Sequence, residues 1–167
     1  MTVTDWVDIF IRPDYNLEMV RSLKYWQQHK GLEIFAWCLM SNHLQIIAAA
    51  KENQPNTLSD ILRDFKKFTS KEIIRLIDEE NESGRKWLLD RFKFAGRNDL
   101  KIKNYKFWQE GNETKEIHTN AFLQQKIDYI HDNSVWQMLV REPQDYVFSS
   151  AIDNYGGKGS LNVVLAN

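Results

Sequence analysis

The fold depends on the stretch Trp37-Cys38-Leu39-Met40-Ser41-Asn42-His43-Leu44-Gln45-Ile46-Ile47-Ala48. It predicts two apolar strands joined by a tight polar turn at Ser41-Asn42. Successive side chains of a strand point to opposite faces, so His43 and Gln45 share one face while apolar neighbours occupy the other. Two side chains with metal-ligand chemistry therefore stand side by side.

A second polar pair lies far along the chain, in a predicted helix from Ala121 to about Asn133. Tyr129 and Asn133 are four residues apart and so share one helix face, which would bring a hydroxyl nucleophile and a carboxamide ligand together. His131 points away from Tyr129 on a helix, and we predict that it forms a structural hydrogen bond to neighbouring backbone. A lone strand histidine and a helix tyrosine are more often packing residues than site residues, so these patterns alone would not identify a site.

Together, the two motifs resemble those of the Y1 (HUH-type) tyrosine transposases of the insertion-sequence 200 and REP-associated type. The counterparts are Met40–Gln45 and Tyr129–Val135. The resemblance continues in the family's order through Leu58–Ser70, Phe107–Gln109 and Tyr146–Ala151. It thus covers most of the chain.

The resemblance implies a metal-dependent endonuclease and strand transferase that acts on single-stranded, hairpin-containing DNA. In this reading His43, Gln45 and Asn133 bind Mg²⁺ or Mn²⁺, and the hydroxyl of Tyr129 attacks the scissile phosphate to form a 5'-phosphotyrosine. A phosphodiester repels nucleophiles until its charge is neutralised, which explains the need for a metal beside the tyrosine.

Two positions depart from the family's motifs: Gln45 replaces the second histidine, and Ser134 replaces a proline. An amide oxygen is a harder ligand than an imidazole and favours magnesium or manganese. The alternative is therefore a domesticated or decayed copy that binds hairpin single-stranded DNA without cutting it. A third reading, an RNA-binding module, would need the row Phe35, Trp37 and Leu39 to be exposed for base stacking.

The order of elements predicts an α+β fold of the ferredoxin-like, split β-α-β type, with helices packed on a four-stranded antiparallel sheet. The 167 residues fit a single domain, 1–167. A short helix, Arg85 to Phe94, leads into a basic loop with Lys101 and Lys103. The predicted strands are Val7–Arg12, Leu32–Met40, His43–Ala50 and Tyr105–Glu110, and the main helices are Leu17–Gln27, Leu58–Asp78 and Ala121–Asn133.

Positive charge is concentrated in the middle of the chain, although the net charge is -1. Residues 63–106 contain 13 Lys and Arg against 8 Asp and Glu. Cations at helical spacing form one face of a helix, which could bind along a phosphate backbone. An ordinary solvated helix surface explains the same pattern equally well. The predicted nucleic-acid-binding residues are Arg63, Lys66, Lys67 and Lys71.

The remaining features predict a soluble cytoplasmic protein that does not bind membranes. Cys38 is the single cysteine, so no internal disulfide can form. No apolar run approaches the roughly 18 residues of a membrane span, and the polar start of the chain is not typical of a signal peptide. The apolar end Val163–Leu165 favours a homodimer formed by strand addition, with a monomer as the other case.

Overall fold

A computed structural model describes residues 1–80, 84–97, 104–112 and 114–165. In these ranges an antiparallel strand pair carries helices on both faces, a mixed α/β architecture. No helix of the described ranges is long and apolar enough to cross a bilayer. The strands are β1 (Leu32–Leu39) and β2 (Leu44–Ala50), and the helices are α1 (Pro13–His29), α2 (Leu58–Glu79), α3 (Arg85–Gly96), α4 (Asn120–Trp136) and α5 (Ala151–Asn154).

The predicted hairpin is confirmed, with Leu39 opposite Leu44 and Cys38 opposite Gln45. A β-bulge interrupts β1, where Phe35 is the extra residue between the pairs formed by Ile34 and Ala36. One extra residue reverses the face on which later side chains lie. The bulge thus lets side chains from both ends of β1 reach the same core: Leu32, Ile34, Trp37 and Leu39.

The main core lies on the sheet face that α1 and α2 cover. Trp26 of α1 packs edge-to-face on Phe65 of α2, with ring centroids 5.4 Å apart. Beside them the indole Nε1 of Trp108 donates a 3.0 Å hydrogen bond to the buried hydroxyl of Thr69. These contacts join α1, α2 and the segment around residue 108 into one apolar body.

The opposite sheet face is covered by α4. Ile130 of α4 packs with Cys38 and Met40 in a second cluster, which is separate from the main core. Because Leu44 and Ile46 of β2 face the main core, the alternation of the strand turns Gln45 towards α4. The fold thereby brings the hairpin motif and the tyrosine helix to the same face.

The four predicted strands appear as two in the described residues, because the outer segments pair only through isolated bridges. Thr2 bridges His43, and Val3 bridges Trp108 within the predicted fourth strand. The predicted first strand, Val7–Arg12, is wrong: these residues form a loop that crosses the hairpin turn and binds it through Phe10 N and Ser41 O, 2.8 Å apart. Residues 1–3 instead pair with residues 42–44, at the turn and the start of β2.

The predicted helices agree with the structure better than the predicted strands do, although each of them is longer in the structure, at one end or at both. α1 begins four residues earlier than predicted because Pro13 is suited to the first helical turn. α2 begins with a capping box in which Thr57 and Asp60 bond each other's backbone amides. The short basic helix is α3, whereas Lys101 and Lys103 of the predicted basic loop lie outside the described residues.

The apolar C-terminal segment pairs with its own sheet. Val164 N donates a 2.9 Å hydrogen bond to Ile34 O of β1, and Val163 packs against the main core. The sequence pattern favours strand addition by this segment to a second subunit. A homodimer built by exchanging the segment would first have to break its pairing with β1.

Cys38 lies fully buried in the second cluster, directly opposite Gln45. Burial raises the pKa of its thiol to about 12. Because the thiolate is the reactive form, we expect the folded protein to resist a disulfide reagent such as DTNB at pH 8 and to react rapidly in guanidinium chloride. Equal reaction rates in the two conditions would contradict the burial of Cys38.

Candidate functional site

The three predicted metal ligands meet at the turn end of the hairpin. His43 Nε2 lies 3.4 Å from the amide nitrogen of Gln45. The amide oxygen of Gln45 accepts a 2.6 Å hydrogen bond from Asn133 Nδ2 of α4. Residues that are 88 positions apart in sequence are therefore in direct contact.

Asn133 is held at this point by its own helix. Its Nδ2 also donates a 2.9 Å hydrogen bond to the carbonyl oxygen of Tyr129, one turn earlier. The two bonds use both protons of the amide nitrogen and leave Oδ1 as the other polar atom of the group. Asn133 is buried, so this orientation is maintained by the packing of α4 on the sheet.

Tyr129 lies on the same face of α4 and is 47% exposed. Its ring packs edge-to-face against Trp136, with centroids 5.2 Å apart. The ammonium of Lys126 lies 5.6 Å from the ring centroid. An exposed phenol, positioned by an indole and accompanied by a cation, is accessible to an anionic ligand.

Burial lowers the pKa of His43, and the positive charge of the chain's N-terminus adds to this effect. The imidazole is therefore neutral at pH 7, and one of its nitrogens keeps a free lone pair. Ligation by a neutral imidazole requires no proton to be displaced. The electrostatic environment of His43 thus suits a metal ligand.

The chemistry of the three side chains limits which metal ion they could bind. It consists of one imidazole and two amides, and the described residues contain no group of three or more His, Cys, Asp and Glu able to hold a metal. Neutral nitrogen and oxygen donors hold a hard divalent ion weakly by themselves, but Mg²⁺ is often shared with substrate phosphates. The three side chains fit a divalent cation bound jointly with an anionic ligand.

The four predicted DNA-binding cations have different surroundings on α2. Arg63 is paired with Asp60 and Asp64 at 2.7 and 2.9 Å. Lys66 Nζ donates to the carbonyl oxygens of Gln109 and Gly111 at 2.8 and 3.2 Å, and its burial lowers its pKa.

Lys67 and Lys71 are exposed one helical turn apart. They belong to the helix whose apolar side enters the main core, on the sheet face opposite α4. The structure thus does not bring the basic residues and the three predicted metal ligands to one side of the sheet. Nucleic acid that touched both would have to pass around a sheet edge.

Two further side chains contact the site and were not expected from the sequence. Asn42 Oδ1 lies 2.8 Å from His43 Nδ1, and Asn42 Nδ2 donates a 2.9 Å hydrogen bond to Asp8 Oδ1. The sequence marked Asn42 only as a turn residue and placed Asp8 within a strand. The Asn-His pairing inside the motif was the one signal that pointed to Asn42.

The structure also tests the predicted role of His131 and the RNA-binding alternative. His131 is structural, as predicted, but its Nε2 lies 2.8 Å from the side-chain hydroxyl of Ser150 rather than against neighbouring backbone. Trp37 and Leu39 are buried in the main core. They cannot stack on unpaired bases, so the structure removes the observation that favoured an RNA-binding module.

Comparison with known proteins supports the fold. No protein-family model and no curated protein matches the sequence. Among solved structures, the chain is similar to a REP-associated tyrosine transposase bound to a REP hairpin, with a TM-score of 0.62 and 18% identity. The match covers 99% of this chain and 84% of that chain. At this identity, the similarity shows that the two chains share a fold.

Proposed function

We propose that this protein is a divalent-metal-dependent, single-stranded DNA endonuclease and strand transferase that works through Tyr129. The observation that carries the proposal is the contact among His43, Gln45 and Asn133, one helical turn from an exposed tyrosine. Hairpin-containing DNA is the proposed substrate because the similar structure is of a transposase bound to a hairpin.

The ligands in this proposal are the unprotonated imidazole nitrogen of His43 and the amide oxygens of Gln45 and Asn133. A bound Mg²⁺ or Mn²⁺ would neutralise the scissile phosphate and increase the electrophilicity of phosphorus. Gln45 Oε1 now accepts a hydrogen bond from Asn133. An amide oxygen has two lone pairs, so one of them remains for ligation while the other accepts this bond.

Tyr129 supplies the attacking atom. Its oxygen forms a bond to phosphorus while the bond from phosphorus to the 3' oxygen breaks, and the phenol proton leaves to solvent as the 3' oxygen takes up a proton. The products are a 5'-phosphotyrosine and a free 3'-hydroxyl. Attack by a DNA hydroxyl on the phosphotyrosine reverses the bond changes and completes strand transfer.

Lys126 assists by charge rather than by proton transfer in this scheme. Its ammonium lies over the ring of Tyr129, where it attracts the incoming phosphate and stabilises the negative charge on the phenol oxygen as its proton leaves. His131 takes no part as a base, because it is buried against Ser150.

A second candidate function is binding of hairpin single-stranded DNA without cleavage. The neutral donor set favours it, because a glutamine amide at position 45 binds a divalent ion less strongly than an imidazole would. The experiment that separates the two functions is capture of a covalent protein–DNA adduct in the presence of Mn²⁺.

DNA binding itself is tested by its salt dependence. Replacing both Lys67 and Lys71 by Ala is expected to weaken binding of a single-stranded hairpin oligonucleotide and to lower the slope of log Kd against log salt by about 1.4, or roughly 0.7 for each phosphate that is no longer neutralised. Fluorescence anisotropy across a salt series measures both quantities.

The matched control replaces Lys24 of α1 and Lys158, two exposed lysines outside α2, and should leave the slope unchanged. An unchanged slope in the Lys67 and Lys71 variant would mean that this helix face is only solvated surface.

Lys66→Ala is expected to lower the thermal stability of the protein, because the Lys66 ammonium holds the loop at Gln109 and Gly111.

A further inference from the structure

We propose that Asp8 is a positioning residue for His43. Its carboxylate sets the orientation of the Asn42 amide, and that amide in turn sets which imidazole nitrogen of His43 carries the proton. The unprotonated nitrogen then faces Gln45 and Asn133. The inference rests on the proposed function, because it explains how His43 is presented as a ligand.

The orientation of Asn42 follows from hydrogen-bonding capacity. An ionised carboxylate only accepts hydrogen bonds, so the Asn42 atom that lies 2.9 Å from Asp8 Oδ1 must be the amide nitrogen. The amide oxygen then faces His43 Nδ1 at 2.8 Å. An oxygen acceptor at this distance requires a proton on Nδ1.

A neutral imidazole carries one N–H group, so a proton on Nδ1 leaves a lone pair on Nε2. Gln45 Nε2 lies 3.4 Å from His43 Nε2 and can donate a hydrogen bond to its lone pair. Gln45 Oε1 then accepts from Asn133. In every hydrogen bond of this series the donor is the partner nearer α4 and the acceptor is the partner nearer Asp8. No two donors and no two acceptors therefore face each other.

Asp8 is held in place by the turn that it contacts. The hydroxyl of Ser41 donates a 2.6 Å hydrogen bond to the same oxygen of Asp8. Val7 and Ile9, on either side of Asp8 in sequence, are buried in the main core. The carboxylate is thus fixed from its backbone and from both residues of the hairpin turn.

The segment before Asp8 has an unusual backbone that supports a role at the site. Asp5 and Trp6 both have positive φ angles, 56° and 55°. Such angles are uncommon outside glycine and are unusual for a bulky residue, and they concentrate at functional sites. They allow the chain to turn over His43, where the Trp6 ring lies edge-on at 6.2 Å.

The test is a measurement of the His43 tautomer by long-range ¹H–¹⁵N NMR, at a pH where the imidazole is neutral. The protein contains 4 histidines, and the His43 signals are assigned by their loss in His43→Ala. Wild type is expected to show the tautomer protonated at Nδ1. Asp8→Ala is expected to show a mixture of both tautomers and to bind Mn²⁺ about tenfold more weakly.

Asp8→Asn provides the conservative comparison, because its amide oxygen can still accept from Asn42 and Ser41. It should retain the wild-type tautomer. Asp14→Ala, which removes an exposed carboxylate on α1, is the matched control and should change neither quantity.

A wild-type His43 protonated at Nε2 would overturn the proposal, as would an Asp8→Ala protein that keeps the Nδ1 tautomer. Weaker Mn²⁺ binding with an unchanged tautomer would also overturn it, by showing that Asp8 acts only on the fold. If Asp8→Ala fails to fold, wild type and Asp8→Asn still decide the tautomer. Failure of the proposed function would appear separately, as an absent DNA adduct with the tautomer unaffected.

Discussion

Tyr129→Phe is expected to abolish formation of a covalent adduct between the protein and single-stranded DNA. Phenylalanine keeps the ring that packs against Trp136 but removes the attacking oxygen, so the fold and DNA binding should persist while the chemistry stops. We expect the adduct to fall by roughly 10³-fold or more, as when a nucleophile is removed from other covalent catalysts. The measurement is denaturing electrophoresis after incubation with Mn²⁺ and labelled hairpin DNA from the flanks of the protein's own gene.

Tyr25→Phe is the matched control, because Tyr25 is a helix tyrosine with the same exposed fraction, 47%, as Tyr129. It lies on α1, whose apolar side enters the main core. The Tyr25 variant should form the adduct at the wild-type level. An adduct that persists in Tyr129→Phe would assign the nucleophile to another tyrosine.

His43→Ala is expected to weaken Mn²⁺ binding more than the roughly 10–100-fold that changes around a ligand typically cause, because it removes a proposed ligand itself. Gln45→Ala should weaken binding less, and Gln45→His should strengthen it, because an imidazole replaces an amide. Isothermal titration calorimetry gives the affinities and the number of ions per chain, for which we expect one.

His118→Ala is the control here, since His118 is exposed and its Nε2 lies near Glu116, away from the hairpin motif in sequence. Equal Mn²⁺ affinity in wild type and His43→Ala would exclude the metal site. A wild type that forms no adduct, together with a Gln45→His protein that does, would favour the non-cleaving DNA-binding protein, with an intact nucleophile and an impaired metal site.

The sequence predicted the parts of the site that follow a simple period. Alternation along β2 placed His43 and Gln45 on one face, and helical spacing placed Tyr129 and Asn133 on another. The bond between Gln45 and Asn133 confirms that these two faces meet. Their contact was predictable only from the family resemblance, because no local sequence pattern shows which helix face will contact a hairpin.

The segment around Asp8 was not predictable in the same way. Val7–Arg12 has the β-branched and aromatic composition of a strand, but its apolar residues are buried by a loop that crosses the hairpin turn. The course of that loop depends on positive φ angles at Asp5 and Trp6. Neither residue is a glycine, so the sequence gives no sign that the backbone turns there.

The surroundings of Lys66 illustrate a second limit of sequence patterns. Its spacing from Arg63 and Lys67 predicts one basic helix face, yet its ammonium bonds two carbonyl oxygens of the loop after Trp108. Helical periodicity gives the direction of a side chain but not what will occupy the space beside it. Only tertiary contacts distinguish a cation that holds a loop from one that remains in solvent.

The small second cluster has a consequence for local stability. α4 meets the sheet through Ile130, Cys38 and Met40, whereas α1 and α2 share the much larger main core. Segments with few buried apolar contacts open at lower free energy than the rest of a domain. Amide hydrogens of α4 are therefore expected to exchange with deuterium before those of β1, because the helix can detach while the hairpin stays folded. Each such opening would carry Tyr129 and Asn133 away from His43 together, so the proposed nucleophile and the proposed ligand beside it would be lost and regained as one cooperative unit.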